Sequence, residues 1–315
     1  EVVQNTGTPV FLVGPAKQIR HELGRFRALP SGLEIVDAPD VVTMEDSPMV
    51  VLRGKRRSSL TVCAELVRDG QAAAMVTAGN TGAAWVAAKS VLGMIEGVER
   101  PALAANLPRM DGSTLVLDVG ANVQCRPRHL LQFAVMGSLY VENVLGIEDP
   151  RVGLMSMGEE EGKGGRRIRE IHEVLERAGV HFVGNVEGRH VFTGEVDVIV
   201  CDGFTGNVIL KVSEGLGEMI LNALSEEAGR SAMHGIGLLM AKGAFVNLRR
   251  KVDYAEYGGA PLLGVDGACI VGHGRSTAKA IRNAIRVASQ YAASGTIEKI
   301  AATLPTMTSA AEENH

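Results

Sequence analysis

Short apolar runs alternate with longer helical repeats along most of the chain. The runs are rich in β-branched residues and occur at Val10–Val13, Ala72–Val76, Val152–Met155, Val196–Cys201 and Ala268–Val271. Their length and composition are typical of strands that are buried on both faces. Between most of them, apolar residues recur every three or four positions, which predicts helices. The alternation predicts an α/β fold built on a mostly parallel sheet.

Some segments depart from strict alternation. Two consecutive strands are predicted at Pro101–Leu107 and Thr114–Leu117, which favours a β-hairpin or a β-arm. We also expect a helix over Asp46–Arg57 and a strand at Val180–Val183 that ends before Asn185.

Two glycine-rich loops follow predicted strands and precede predicted helices. They cover Gly79–Gly82 and Gly203–Asn207, and each sets Asn and Thr among glycines. Ligands of open α/β sheets bind at the carboxyl ends of strands, where the first amides of a helix are unpaired. One such loop alone is more typical of a helix cap than of an anion site. Two in one chain favour an anion site, and we expect both loops to line one cleft.

Two other strand ends carry basic groups between glycines. Lys163 lies in a glycine-rich segment that resembles a nucleotide P-loop but lacks its spacing and its Ser or Thr. Lys163 is interpreted either as a positive charge that reaches a phosphate or as part of a solvent-exposed loop. His273 lies between Gly272 and Gly274, where a structural role and a site role are both open.

Composition narrows the class of protein. The 315 residues are 46% hydrophobic and carry a net charge of −4. A nucleic-acid-binding protein usually carries a positive charge, so this charge does not indicate one. Four widely separated cysteines indicate neither zinc nor disulfides and favour a reducing cytoplasm. We expect neither a signal peptide nor a spanning helix. The segment Ser231–Lys251 has one apolar helical face and a basic end, typical of a membrane-interface helix or a dimer helix.

The loops indicate chemistry without a protein nucleophile. No Ser elbow, Cys–His pair or dinucleotide fingerprint occurs, and the strand-end carboxylates Asp118 and Asp202 stand singly, so we expect no cofactor and no metal. What remains is a cleft that holds inorganic phosphate as the nucleophile against an activated acyl group, such as a thioester. Positioning and oxyanion donors would supply the rate.

Seven segments together resemble the PlsX family of bacterial phosphate acyltransferases. They are AGNTGA (78–83), GVERPALA (97–104), LDVGANVQCRP (117–127), QFAVMGSLY (132–140), PRVGLMSMGEEEGKG (150–164), CDGFTGNVILK (201–211) and YGGAPLLG (257–264). The resemblance implies a three-layer α/β/α fold similar to isocitrate and isopropylmalate dehydrogenases and to phosphotransacetylase. It covers one domain over 1–305, with 216–251 as a dimer or membrane element and a polar tail at 306–315. A DAMGGD-like loop, which follows the first strand of family members, does not occur near Glu1.

The resemblance also implies an activity and partners. The family transfers a fatty acyl group from acyl carrier protein to inorganic phosphate, and the acyl phosphate feeds a membrane glycerol-3-phosphate acyltransferase in phospholipid synthesis. It implies a cytoplasmic homodimer, peripheral to the inner face of the membrane, here through Gly235–Lys251. The basic runs Arg53–Arg57 and Arg249–Lys251 are candidate contacts for an acidic carrier protein.

The resemblance assigns site residues by position. The catalytic candidates are Lys163, Asp202, Asn207 and Lys211. The candidates for binding phosphate or substrate are Gly79, Asn80, Thr81, Gly82, Asn122, Asn185, Gly203, Thr205 and Gly206. His273 is added to them from its place between two glycines at a strand end, in a loop that varies within the family. In this hypothesis the Asn and Thr side chains orient phosphate or the acyl carbonyl, and a lysine carries charge to the oxyanion. Asp202 orients a donor or accepts a proton.

Three rival interpretations remain. The first is a phosphate acyltransferase that uses short acyl-CoA, like phosphotransacetylase. The second is an NAD(P)-dependent decarboxylating dehydrogenase on a similar fold, which the missing metal carboxylates argue against. The third is a membrane-docked scaffold for lipid-synthesis enzymes, indicated by Gly235–Lys251.

Overall fold

The computed structural model describes residues 2–26, 29–230, 240, 241, 243, 246 and 256–312. The chain divides into two compact units, which the text below calls the first and the second unit. The first unit comprises Glu1–Pro101 and Gly258–Thr306, and the second comprises Ala102–Tyr257 and Met307–His315. The single domain over 1–305 stays a prediction.

Strands and helices alternate along the chain. The strands are β1 Val10–Gly14, β2 Leu33–Asp37, β3 Ala74–Thr77, β4 Ala102–Pro108, β5 Ser113–Leu117, β6 Val152–Met155, β7 Phe182–Val186, β8 Val198–Val200, β9 Ala260–Leu263 and β10 Ala268–Val271. The helices are α1 Val2–Thr6, α2 Ala16–Leu23, α3 Val50–Arg53, α4 Ser59–Arg68, α5 Thr81–Val91, α6 Pro127–Tyr140, α7 Gly165–Glu176, α8 His190–Thr193, α9 Gly203–Gly229, α10 Ala278–Ala293 and α11 Thr296–Glu312. A π-helical turn at Val141–Leu145 extends α6.

The first unit contains two groups of strands. β1 and β2 pair in parallel, and β10 lies between β3, to which it is parallel, and β9, to which it is antiparallel. α4, α5 and α10 pack on these strands. The inner face of α10 carries Ala280, Ala284, Val287, Ala288 and Tyr291, a helical spacing that buries one apolar stripe.

The second unit contains five strands in the order β4-β5-β8-β6-β7. β4 and β5 form an antiparallel hairpin, as predicted, and the other neighbours are parallel. All three residues of β8 are fully buried, which fits a strand covered on both faces. Because β5, β8, β6 and β7 run in parallel, their carboxyl ends meet at one edge of this sheet.

Four helices begin at a side-chain cap. Ser58, Asn80, Asp202 and Thr277 each accept a hydrogen bond from the amide three residues further on. Such a cap contributes about 1 kcal/mol to the free energy of unfolding. The polar residues at these strand-to-helix turns therefore have a structural role whatever else they do.

A buried ion cluster ties together the amino ends of the parallel strands in the second unit. Asp197, which precedes β8 and is 4% exposed, accepts hydrogen bonds from Nη1 of Arg109 and Nε of Arg151, each at 2.9 Å. The backbone of Asp197 also bonds to Leu115 and Arg151 at 2.9 Å. The cluster therefore fixes how β5 and β8 are aligned with each other. It also ties them to Arg151, the residue before β6.

Two sequence-based boundaries were wrong. The helix predicted over Asp46–Arg57 is limited to α3, because the carboxylate of Asp46 is bonded to the amide of Thr43 and to Lys55. The strand predicted at Val180–Val183 is β7, which begins at Phe182 and includes Asn185.

The predicted interface or dimer helix at Ser231–Lys251 lies outside the described residues, apart from four single positions. In the part of the chain that the structure describes, no helix combines the length and hydropathy needed to cross a bilayer.

Candidate active site

Two paired parallel strands of the first unit, β3 and β10, end side by side. β3 leads into the loop 78–80 and β10 leads into Gly272–Ser276, and the amide of Gly272 donates to the carbonyl of Thr77 at 2.6 Å. His273 is half-buried, and its Nδ1 accepts a hydrogen bond from the amide of Arg275 at 3.1 Å. The structure therefore brings the loop Gly79–Gly82 and the His273 loop to one edge.

Asn80 is already engaged by the protein. Its Oδ1 accepts from the amide of Ala83 at 3.0 Å, which caps α5. Its Nδ2 donates to the carbonyls of Thr43, Met44 and Asp46 at 3.0–3.4 Å. Since the side chain is buried and both of its polar atoms are used, its geometry is that of a positioning residue. Its predicted contact with phosphate stays a prediction.

The first amides of α5 offer a better anion site. Within the described residues, the amides of Thr81 and Gly82 have no protein acceptor, and the side chain of Thr81 is exposed. The amide of Gly79 donates to Oγ1 of Thr77 at 3.3 Å. A helix of 11 residues with two unpaired first-turn amides favours a bound anion. This end of α5 therefore has the donors that a phosphate needs.

The Asn80 and Thr81 variants should separate these roles. Asn80→Ala removes the cap and leaves the backbone carbonyls of 43, 44 and 46 without their donor, so we expect a loss of about 1–3 kcal/mol in the free energy of unfolding. Thr81→Ala removes only an exposed hydroxyl, and we expect less than about 0.5 kcal/mol. Urea denaturation of both variants measures the difference; equal losses would contradict the assignment of Asn80.

The second unit has a buried carboxylate at the end of β5. Asp118 is fully buried and accepts from the amides of Leu103, Gly120, Ala121 and Asn122 at 2.6–3.1 Å, and from Nδ2 of Asn122 at 2.8 Å. Burial raises the pKa of Asp118, and the hydrogen bonds from these donors oppose the rise. The side chain of Asn122 thus donates inward and holds the loop 118–122.

The first turn of α9 differs from the predicted anion site. The amide of Gly203 donates to the carbonyl of Asn122 at 2.8 Å, and the amide of Thr205 donates to the carboxylate of Asp202 at 2.8 Å. The amide of Gly206 donates to the carbonyl of Asp202 at 3.0 Å. These amides are therefore used within the protein, and Asp202 caps the helix.

Asn207 and Lys211 lie one turn apart on the exposed side of α9. The side chain of Asn207 lies over Gly120, where an added Cβ would be 3.8 Å from its Oδ1. In the described part of the chain the side-chain amide of Asn207 makes no hydrogen bond. Nζ of Lys211 pairs with Glu214 at 2.8 Å. Asn207 is thus placed to contact a substrate at the edge where β5 and β8 end.

Lys163 and Asn185 belong to a third strand end. The exposed side chain of Lys163 packs beside Gly158, and its amide donates to the carbonyl of Glu160 at 2.9 Å. Asn185, buried in β7, donates from Nδ2 to the same carbonyl at 3.2 Å and bonds through Oδ1 to His172 at 3.1 Å. Asn185 therefore supports the loop that carries Lys163.

The thiols are poor nucleophiles. Burial raises the pKa of Cys63 to about 11 and that of Cys269 to about 12, and it raises the pKa of Cys201 well above its ordinary value. These three thiols stay protonated at neutral pH. This agrees with chemistry in which the substrate supplies the attacking atom.

Sequence reasoning missed one group of side chains. Glu161, His172 and Glu176 bring ligand atoms within 4.8 Å of one another. The signal was present, because His172 and Glu176 are four residues apart and so share one face of a helix.

Comparison with known proteins identifies the family. The model of the family described as "Fatty acid synthesis protein" matches residues 3–299. The phosphate acyltransferase of Pelotomaculum thermopropionicum is 51% identical over 292 residues, which cover 92% of this chain and 85% of that protein.

Solved structures show the fold. EutD phosphotransacetylase from Staphylococcus aureus matches with a TM-score of 0.60 at 14% identity, covering 90% of this chain and 86% of that one. 4-Hydroxythreonine-4-phosphate dehydrogenase from Klebsiella pneumoniae matches with a TM-score of 0.51 at 13% identity, covering 97% and 89%. These neighbours confirm the predicted dehydrogenase-like α/β fold with a large, mostly parallel sheet. The family match and the relative from Pelotomaculum thermopropionicum show that the chain belongs to the PlsX family of phosphate acyltransferases, which are acyltransferases of fatty acid and phospholipid synthesis.

Proposed function

We propose that the protein transfers a fatty acyl group from the thioester of acyl carrier protein to inorganic phosphate. A phosphate oxygen attacks the carbonyl carbon, a C–O bond forms, and the C–S bond breaks. The carrier leaves as a thiolate, which then takes up a proton. The products are acyl phosphate and free carrier protein.

The unpaired amides of Thr81 and Gly82 carry this proposal. They offer donors for a phosphate at the start of α5, and the loop that carries the half-buried His273 is bonded to Thr77 at the end of the preceding strand. A bound phosphate held in one orientation is a pre-positioned nucleophile, and positioning removes a large part of the entropic cost of reaction. The raised pKa values of Cys63, Cys201 and Cys269 support phosphate rather than these thiols as the attacking group.

The roles of the other candidates follow from their exposure. Asn207 has a side-chain amide that can donate to an acyl carbonyl or its oxyanion, and Lys163 and Lys211 carry exposed positive charge. The roles of Asp202, Asn122 and Asn185 are indirect: their side chains hold in place the loops and the helix start to which they bond. The expectation that the loops at 79–82 and 203–207 serve one cleft stays a prediction.

A direct assay tests the activity. The full chain is incubated with acyl carrier protein thioester and phosphate, and hydroxylamine traps acyl phosphate as the hydroxamate. We expect product only when both substrates are present. An acyl-CoA of the same chain length is the rival donor, and a clear preference for it would overturn the carrier-protein assignment. The phosphotransacetylase neighbour, at 14% identity, supports that rival only as a related fold.

Asn207→Ala should lower the rate without affecting the fold. Loss of one oxyanion donor reduces kcat by roughly 10²–10³-fold. Because the side chain is exposed, we expect the free energy of unfolding to change by less than about 0.5 kcal/mol. Asn222→Ala, at an exposed position of the same helix, is the matched control and should keep full activity. Wild-type turnover in Asn207→Ala would remove this residue from the mechanism.

The surface supports the proposed partners. Apolar side chains recur about every four residues along α9, with Phe204 65% and Met219 58% exposed and Val208, Val212 and Leu216 between them. Such a stripe favours the proposed homodimer, because monomeric proteins rarely expose so continuous an apolar patch. Arg53, Arg56 and Arg57 are exposed near the start of α4 and suit an acidic carrier protein. Peripheral membrane attachment through Gly235–Lys251 stays a prediction.

A further inference from the structure

A histidine and two glutamates converge beside the loop that carries Lys163. Glu161 lies in this loop, and His172 and Glu176 lie one turn apart on α7. Their ligand atoms are within 4.8 Å of one another, and Nε2 of His172 is 3.5 Å from Oε1 of Glu176. His172 is 8% exposed, whereas both glutamates reach solvent.

Asn185 fixes the orientation of the His172 ring. The Nδ2 group of Asn185 donates to the carbonyl of Glu160, so its Oδ1 is the atom that faces Nδ1 of His172, at 3.1 Å. Since Oδ1 can only accept, Nδ1 of the imidazole donates the hydrogen bond. Nε2, the other ring nitrogen, therefore faces the glutamates.

This arrangement leaves one ring nitrogen and two carboxylates facing one another. The carboxylates carry like charge, so a cation between them is favourable. An edge-on contact with Phe182, at 5.0 Å between ring centres, further holds the imidazole plane. A metal-binding histidine usually donates its other ring N–H to a fixed acceptor, as Nδ1 of His172 does here to Oδ1 of Asn185.

We propose that Glu161, His172 and Glu176 bind one divalent transition-metal ion. One imidazole and two carboxylates suit Zn²⁺ or Mn²⁺, whereas Mg²⁺ and Ca²⁺ prefer oxygen ligands alone. Two negative carboxylates balance the ion's charge. Ligand distances of about 2.0–2.2 Å require the two exposed glutamates to close on the ion. The ion joins the loop 158–164 to α7 and so limits the movement of Lys163.

Titration calorimetry of the chelator-treated full chain with ZnCl₂ and, separately, MnCl₂ tests the site. We expect one ion to bind per chain. Glu161→Gln and Glu176→Gln should each weaken binding at least about tenfold, since each removes a charged ligand. Both substitutions are at exposed positions, so the variants should fold. Glu173→Gln, an exposed glutamate on the same helix, is the control and should bind like the wild type.

Each other outcome overturns the proposal. Absence of binding at millimolar metal would show that His172 and Glu176 form only a proton-linked ion pair. Unchanged affinity in the Glu161→Gln and Glu176→Gln variants would place the ion elsewhere. Equal affinity for Mg²⁺ would indicate a nonspecific acidic surface. A thermal scan adds a second readout, because bound metal should raise the Tm of the wild type and of Glu173→Gln only.

Discussion

Gly206→Ala is expected to lower the free energy of unfolding by about 3–5 kcal/mol, the range of severe overpacking in a rigid site. A Cβ at this position would lie 1.9 Å from the carbonyl oxygen of Asp118 and 3.0 Å from Sγ of Cys201. The obstacle is backbone, which rotation of a side chain cannot relieve. The first turn of α9 would have to move away from the loop that ends β5, and Asn207 would move with it. Urea denaturation measures the loss, and acyl phosphate formation should fall in parallel.

Gly215→Ala is the matched control on the same helix. Nothing lies within 4 Å of a Cβ added there, so only helix propensity changes. Gly215→Ala should then raise the free energy of unfolding by about 0.5–1 kcal/mol. If Gly206→Ala were as stable as the wild type, the close approach of α9 to Asp118 would be wrong.

Asp197→Asn should cost about 3–5 kcal/mol at neutral pH, because removing one partner of a buried ion cluster leaves the others uncompensated. Here Arg109, with a largely buried side chain, and Arg151 would lose their carboxylate. Asp69→Asn, which breaks an exposed pair with Arg68, is the control and should cost less than about 1 kcal/mol.

The same cluster predicts a dependence on pH. Burial opposes ionisation of Asp197, but the hydrogen bonds from Arg151 and Arg109 prevail and lower its pKa below the usual value. A lowered pKa in the folded state gives stability that is complete above the unfolded pKa, near 4, and is lost as the pH falls through the folded pKa. The stability difference between the wild type and Asp197→Asn should therefore shrink below about pH 4. A constant difference from pH 7 to pH 2 would contradict this assignment.

Local patterns predicted the strands well and some helices poorly. The strands Val152–Met155 and Ala268–Val271 have the predicted bounds. Short apolar runs of this kind, bounded by turn residues, are typical of buried strands. The segment 46–57 did not form one helix, because Lys55 and Asn80 hold its start by contacts that periodicity does not report. Asn185 lies inside β7 rather than after it for a similar reason, since its partners are His172 and Glu160.

Sequence patterns likewise predicted one part of the candidate site and missed another. Glycine and asparagine at strand ends located the loops correctly, because backbone geometry restricts which residues can occupy such turns. Sequence does not show where a polar side chain points, and so it did not distinguish Asn80 and Asn122, which hold backbone, from the exposed Asn207. The group around His172 was missed because Glu161 joins it from a loop outside the helical repeat.

The division of the first unit into two segments has a consequence for synthesis on the ribosome. β3 emerges early, but β10, its neighbour in the sheet, emerges only after the whole span Ala102–Tyr257 has been made. That span carries all five of its own paired strands, so it can become compact while the earlier segment waits. Until β10 has been made, the segment Glu1–Pro101 thus exposes an open strand edge, and a cell that makes this protein quickly would need chaperones to shield it.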